Sequence, residues 1–198
     1  MDTKSSEHYT QFIVPFRKAL DSLNKEADRG MIIVAASWVD KDLENAISSL
    51  LIPSSKKEDE LFLDTGLLGT FSAKIDMAFR LGLIKESSKN AFHLLRKMRN
   101  ECAHNIESSS FDSPSIESRT IELARKVENL LTAMWRGMED LLKKQPNYKD
   151  YNPTENTSKN IRTLFGTRTL FLWAAACIIT YSALIKTDIV PLEALDDK

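Results

Sequence analysis

Seventeen consecutive residues, Thr169 to Ile185 (TLFLWAAACIITYSALI), carry no charge, and Arg168 and Lys186 bracket them. A chain with such a run must take it out of water, into a protein core or into a bilayer. A membrane span needs about 20 apolar residues, with about 17 as the lower limit. This run sits at that limit, contains Thr180 and Ser182, and owes part of its length to small residues, three successive alanines and Cys177. The rest of the chain offers it a better use. Several amphipathic segments precede it, and each stripe needs an apolar partner. A final helix that is apolar on every side supplies one. A buried closing helix is therefore the preferred expectation; a tail anchor or membrane contact through 169–185 is the alternative.

The preceding segments keep helical period. Phe12, Ile13, Phe16, Ala19, Leu20 and Leu23 mark a helix over His8–Leu23, with Pro15 predicting a start near Val14 or a kink. Arg29-Gly30 leads into Met31–Leu51, whose first turns are apolar nearly all round. Two glycines, Gly66 and Gly69, lie before a short helix over Phe71–Leu83. They permit either a tight turn or a close interface approach. Glu86–Asn105 forms the next helix, with Ala91, Phe92, Leu94, Leu95, Met98 and Cys102 as its apolar side, and Ile116–Lys144 reads as one long helix. Gln145–Asn160 is polar and reads as a loop, and Ile161–Ile185 closes the pattern with an interruption near Gly166. Nothing alternates with period two. Six glycines and six prolines are too few for a sandwich or barrel that turns every few residues.

The expected fold is an all-α, single-domain helical bundle of about five to seven helices. It divides into an N-terminal helix region 1–28, a helical core 29–144, a polar loop 145–160, a C-terminal apolar helix 161–186 and a tail 187–198. Met31–Val39 is expected to be the most buried stretch, with Phe71, Ile75, Phe92, Leu95, Leu130, Met134 and Trp173 around it.

Charge narrows the function. Lysine and arginine number 27 against 28 acids, a net charge of −1, which lacks the positive field of a nonspecific DNA binder. Direct DNA binding is not expected. Cys102 and Cys177 stand in helical runs and read as small buried hydrophobes in a reducing cytoplasm. Met1–Glu7 lacks the apolar stretch of a secretory signal, so a cytoplasmic location is expected. The three histidines, His8, His93 and His104, have no zinc-ligand spacing, and nucleotide-loop and hydrolase motifs are missing. Neither metal nor cofactor is expected.

One segment remains for chemistry: Arg96-Lys97-Met98-Arg99-Asn100-Glu101-Cys102-Ala103-His104. Cations at the end of a helix offset the negative end of its dipole, a purely structural role. The functional reading starts from geometry. Asn100 and His104 stand one turn apart on one face, and Arg99 lies about 140° round from His104. A long arginine side chain, a distorted last turn or a second subunit would bring guanidinium and imidazole together. Arg96, Lys97 and Arg99 are then candidates to hold RNA or phosphate, and Arg99, Asn100 and His104 candidates for catalysis, with His104 moving a proton near neutral pH.

GLLGTFSAKIDMAFRLGLI (Gly66–Ile84), followed by a helix ending LLRKMRNECAH (Leu94–His104), resembles the MltR family, named for a repressor of mannitol utilisation. The resemblance spans roughly Arg29 to Leu142. It implies a dimeric transcriptional regulator that works through a protein or RNA partner, because no helix-turn-helix with a basic recognition helix is visible. Arg99-Asn100-x-x-x-His104 also resembles the R-x4-6-H motif of HEPN domains, small helical bundles that are often dimeric and often metal-independent ribonucleases. That resemblance implies Arg99 steadying a phosphate, His104 transferring the proton and Asn100 orienting it, while the 2′-hydroxyl attacks to leave a cyclic phosphate.

Overall fold

The computed structural model describes residues 3–104 and 110–185, with the backbone alone for residues 3–11. The tail 187–198 and the expected helix end at Asn105 lie outside the described residues. Among those described there is no strand, and seven α-helices follow in order: α1 (Thr3–Leu23), α2 (Asp28–Leu50), α3 (Phe71–Arg80), α4 (Glu86–His104), α5 (Pro114–Lys126), α6 (Glu128–Leu142) and α7 (Thr157–Leu184). A 3-10 turn, Pro146–Asp150, lies in the polar stretch after α6.

The centre of the molecule is α7. It packs against α1, α2, α5 and α6, while α4 lies across α2 and α5 and α3 fits between α2 and α4. All residues from Leu170 to Thr180 are buried, more than any other stretch. This corrects the expectation for Met31–Val39, where Ser37 faces solvent and Ile33, Val34 and Trp38 are half-buried. The reason is position: α2 is an intermediate layer, with α7 on one side and α3 and α4 on another. Phe16 meets Trp173 edge to face with ring centroids 6.0 Å apart, and Trp135 approaches the same indole at 6.2 Å. Phe92 approaches Tyr181 at 6.3 Å. Phe71 and Leu130, expected in the core, are half-buried at its margin.

Two local departures and one agreement position the helices. α1 continues through Pro15 back to Thr3 rather than starting near Val14. The long Ile116–Lys144 pattern divides at Val127 (φ −116°, ψ 18°), whose amide turns to the carbonyl of Ala124. Glu128, first residue of α6, then accepts the amide of Ser158 at 3.1 Å, joining the start of α6 to the start of α7. The interruption in α7 falls at Gly166, as its sequence position predicts, with φ 85° and ψ 172°, a backbone that disfavours a side chain. Beyond that break, Arg168 reaches the α1–α2 junction, donating to the carbonyl of Glu26 at 2.9 Å and to Asp28 at 3.2 Å.

Candidate functional site

The loop between α2 and α3 is folded back on itself. The amide of Leu68 donates to the carbonyl of Leu61, that of Gly66 to Leu63 and that of Gly69 to Gly66. A Cβ on Gly66 would stand 2.2 Å from the carbonyl oxygen of Glu60, and one on Gly69 2.1 Å from that of Leu63. Both glycines therefore serve a close backbone approach within the loop itself. Leu68 is buried and pins it to the core, whereas Leu61, Leu63 and Leu67 face solvent, Leu67 at 83% exposure.

The loop delivers Thr70 to the start of α3, where its hydroxyl accepts the amide of Ala73. This is a side-chain cap of the usual kind. One turn into α3, Lys74 is only 4% exposed, and its ammonium lies 2.8 Å from Asp40 and 2.9 Å from Glu44, both on α2. Burial by itself pushes the Lys74 pKa down; the hydrogen bonds and charges of Asp40 and Glu44 outweigh it and hold the ammonium above the ordinary lysine value. Burial likewise pushes Glu44 up, and Lys41 with Lys74 outweighs it, leaving the carboxylate below its ordinary value.

These elements enclose a cavity of about 520 Å³. Its walls are Ser37 and Asp40 of α2, Asp64, Gly69 and Thr70 of the loop, Ser72 of α3, and Arg96, Arg99 and Asn100 of α4. The three α4 residues stand at i, i+3 and i+4, so one helix face carries them. Arg99 donates to the Asn100 side-chain oxygen at 3.1 Å. The Nε of Arg96 is enclosed and has no hydrogen-bond partner among the described residues.

The structure thus brings Arg96, Arg99 and Asn100 together in one cavity. Lys97 and His104 do not line it. Lys97 is exposed, pointing about 100° round the helix from Arg96, and His104 is exposed at the last residue of α4, about 6 Å along the axis beyond Asn100. The end of that helix is closed instead by Arg29, whose Nε donates to the carbonyl of Cys102 at 2.8 Å. Glu101 accepts from Ser115 at 2.8 Å and pairs with Arg119, tying α4 to α5.

The other titratable groups do different work. His93 contacts Asp76 at 3.2 Å beside Lys89; the Lys89 hydrogen bond above all, with that of His93, keeps the Asp76 carboxyl below its ordinary value. Cys102 and Cys177 are both buried, and burial pushes the Cys177 thiol far up. Among the described residues no group of three or more His, Cys, Asp and Glu is arranged to hold a metal ion. Sequence reasoning found the arginines and Asn100 but missed Asp40, Asp64, Ser72 and the Lys74 anchor. Those come from α2, α3 and their connecting loop, and no local pattern announces that they meet α4.

No family model matches the sequence, and no curated protein matches it significantly. A solved structure does resemble this one: a chain in the X-ray structure of the MtlR–HPr complex from Escherichia coli. The similarity has a TM-score of 0.56 at 18% identity and covers 86% of this chain and 99% of that one. At that identity the likeness is one of architecture, extending over nearly the whole of the other molecule. The chain is an all-α bundle with an MtlR-like fold.

Proposed function

We propose that this chain is a cytoplasmic regulatory protein of the MltR type, a transcriptional repressor or co-regulator that acts by binding another protein rather than by reading DNA. The observation that carries the reading is the extended likeness to MtlR, a protein captured in complex with HPr. Two features of this chain support it. Its net charge of −1 suits a protein partner better than a nucleic-acid backbone. The compact loop before α3 presents Leu61, Leu63 and Leu67 to solvent, exposed apolar surface that a protein partner would bury. A homodimer belongs to the same proposal.

Calorimetric titration of the purified chain with HPr tests it, alongside light scattering for the dimer. Saturable binding that Leu67→Asp weakens by about tenfold or more is the expected result. A chain that takes up no HPr at any accessible concentration sinks HPr as the partner.

A second reading is kept by one observation: Arg99 and His104 are both solvent-facing on α4, as an RNA-cleaving pair must be. On this reading the chain is a HEPN-type metal-independent endoribonuclease, and a second protomer completes the cleft. Labelled RNA incubated with the protein in EDTA, beside His104→Ala, decides it. Cleavage abolished by that substitution establishes the nuclease; intact RNA with the parent protein eliminates it.

A further inference from the structure

We propose that the cavity between α2, the loop leading to Thr70, the start of α3 and the last turns of α4 is a binding site for a small phosphate monoester. Two guanidiniums from one face of α4 converge on it, and the Arg96 Nε–H is enclosed with no acceptor among the described residues. A buried donor left unmade is unfavourable, and a turn of the Arg96 side chain toward the cavity it lines would bring that N–H to an oxyanion there. Phe71 and Ser72, also in the wall, stand at the positive end of α3.

The acids in the wall do not cancel this field. Asp40 is held by Lys74 at 2.8 Å, so its charge is met within the fold. Asp64 remains, at the loop side of the cavity. Arginines on one wall and a carboxylate with Ser37 and Ser72 on others define a ligand with two ends. A guanidinium fork matches carboxylate and phosphate alike; donors from α4 and from the start of α3 reach one end from different directions, which suits a tetrahedral, doubly charged phosphate. The other end carries hydroxyls that donate to Asp64. A volume of about 520 Å³ lies within the usual range for small-molecule sites and exceeds what inorganic phosphate fills. Asp64 beside the arginines disfavours a nucleic-acid strand, whose successive phosphates would meet it.

This inference stands independently of HPr binding, and its test uses the full chain alone. Calorimetry is run with glycerol 3-phosphate, inorganic phosphate, glycerol and a single-stranded RNA oligonucleotide. Glycerol 3-phosphate is expected to bind more tightly than inorganic phosphate, and glycerol to give no heat. Arg99→Gln, at an exposed position, should weaken both anions by about tenfold or more without affecting folding. Arg96→Gln should do the same; should it fail to fold, Arg99→Gln decides. Asp64→Asn should weaken the ester while sparing inorganic phosphate. Lys97→Gln, outside the cavity, should change neither. No heat from either anion overturns the proposal. So does a loss with Lys97→Gln equal to that with Arg99→Gln, the mark of diffuse surface charge, or RNA binding that outcompetes the ester through the same arginines.

Discussion

The Arg29 Nε and the carbonyl of Cys102 meet at 2.8 Å across 73 positions of sequence. The contact closes the end of α4 with the first turn of α2, and it connects the helix bearing Arg96, Arg99 and Asn100 to the layer that bears Asp40. Replacing Arg29 by Ala leaves the carbonyl of Cys102 without this donor. A charged hydrogen bond of this kind contributes about 1.5–3 kcal/mol, so urea unfolding should show a loss of that order. An unchanged midpoint would show that water or a neighbouring residue caps the helix equally well.

Lys74 predicts both a mutational and a pH effect. Lys74→Met removes the ammonium that pairs with Asp40 and leaves Glu44 with Lys41 alone, and both acids are only partly exposed. Breaking a fully buried pair costs about 3–5 kcal/mol, and partial exposure of the acids reduces this to about 2–4. The Glu44 pKa lies below its ordinary 4.5 in the folded protein. Its contribution is therefore present above that value and fades as pH falls through the folded pKa. Lys74 lies above its ordinary 10.5, so its contribution is complete below that value and fades as pH rises through the folded pKa. Thermal unfolding from pH 3 to 11 should slope at both ends, and Lys74→Met should flatten the alkaline slope most, because Lys41 still lowers Glu44 and Lys89 still lowers Asp76 at the acid end.

Gly69→Ala sets a Cβ 2.1 Å from the carbonyl oxygen of Leu63, a backbone atom that cannot swing aside. The loop must open, moving Asp64 and Thr70 with it. A stability loss of about 1–3 kcal/mol is expected, with amide chemical-shift changes across 60–75 and a parallel loss of glycerol 3-phosphate binding. Shifts confined to residue 69 itself would show that the loop has more room than its geometry indicates.

Truncating the aromatic centre tests the layering. Trp173→Ala removes the ring that Phe16 and Trp135 both contact, and Phe92→Ala the one packed near Tyr181. Each should cost about 3–5 kcal/mol in chemical denaturation. Cooperative unfolding at the parent midpoint would contradict the placement of α7 at the centre.

What could be read from the residues was what depends on near neighbours along the chain. The second part of α7, 169–184, announces itself by an absence of charge and the break before it by Gly166, whereas its first turn, from Thr157, lies in the stretch 145–160 that reads as loop. Arg96, Arg99 and Asn100 share a face because three and four residues make about a turn. The division at Val127 leaves no trace, since neither glycine nor proline marks it and the Glu128–Ser158 contact spans 30 positions. The same holds for Asp40 and Asp64, which complete the cavity from α2 and the loop after it. His104 shows the limit of helical arithmetic: it shares a face with Asn100 yet stands a turn beyond the cavity. The membrane alternative for Thr169–Ile185 meets a helix enclosed by four others, although its length and composition alone would suit a span.

Because α7 follows in the chain every helix it touches, α1, α2, α5 and α6 emerge from the ribosome before the element that will cover their apolar sides. At synthesis rates of about 5–20 residues per second, those surfaces wait several seconds for their partner. Nascent α1–α6 is therefore the natural client of a chaperone, and a premature stop ahead of residue 170 should yield a product cleared by proteolysis rather than a smaller working protein.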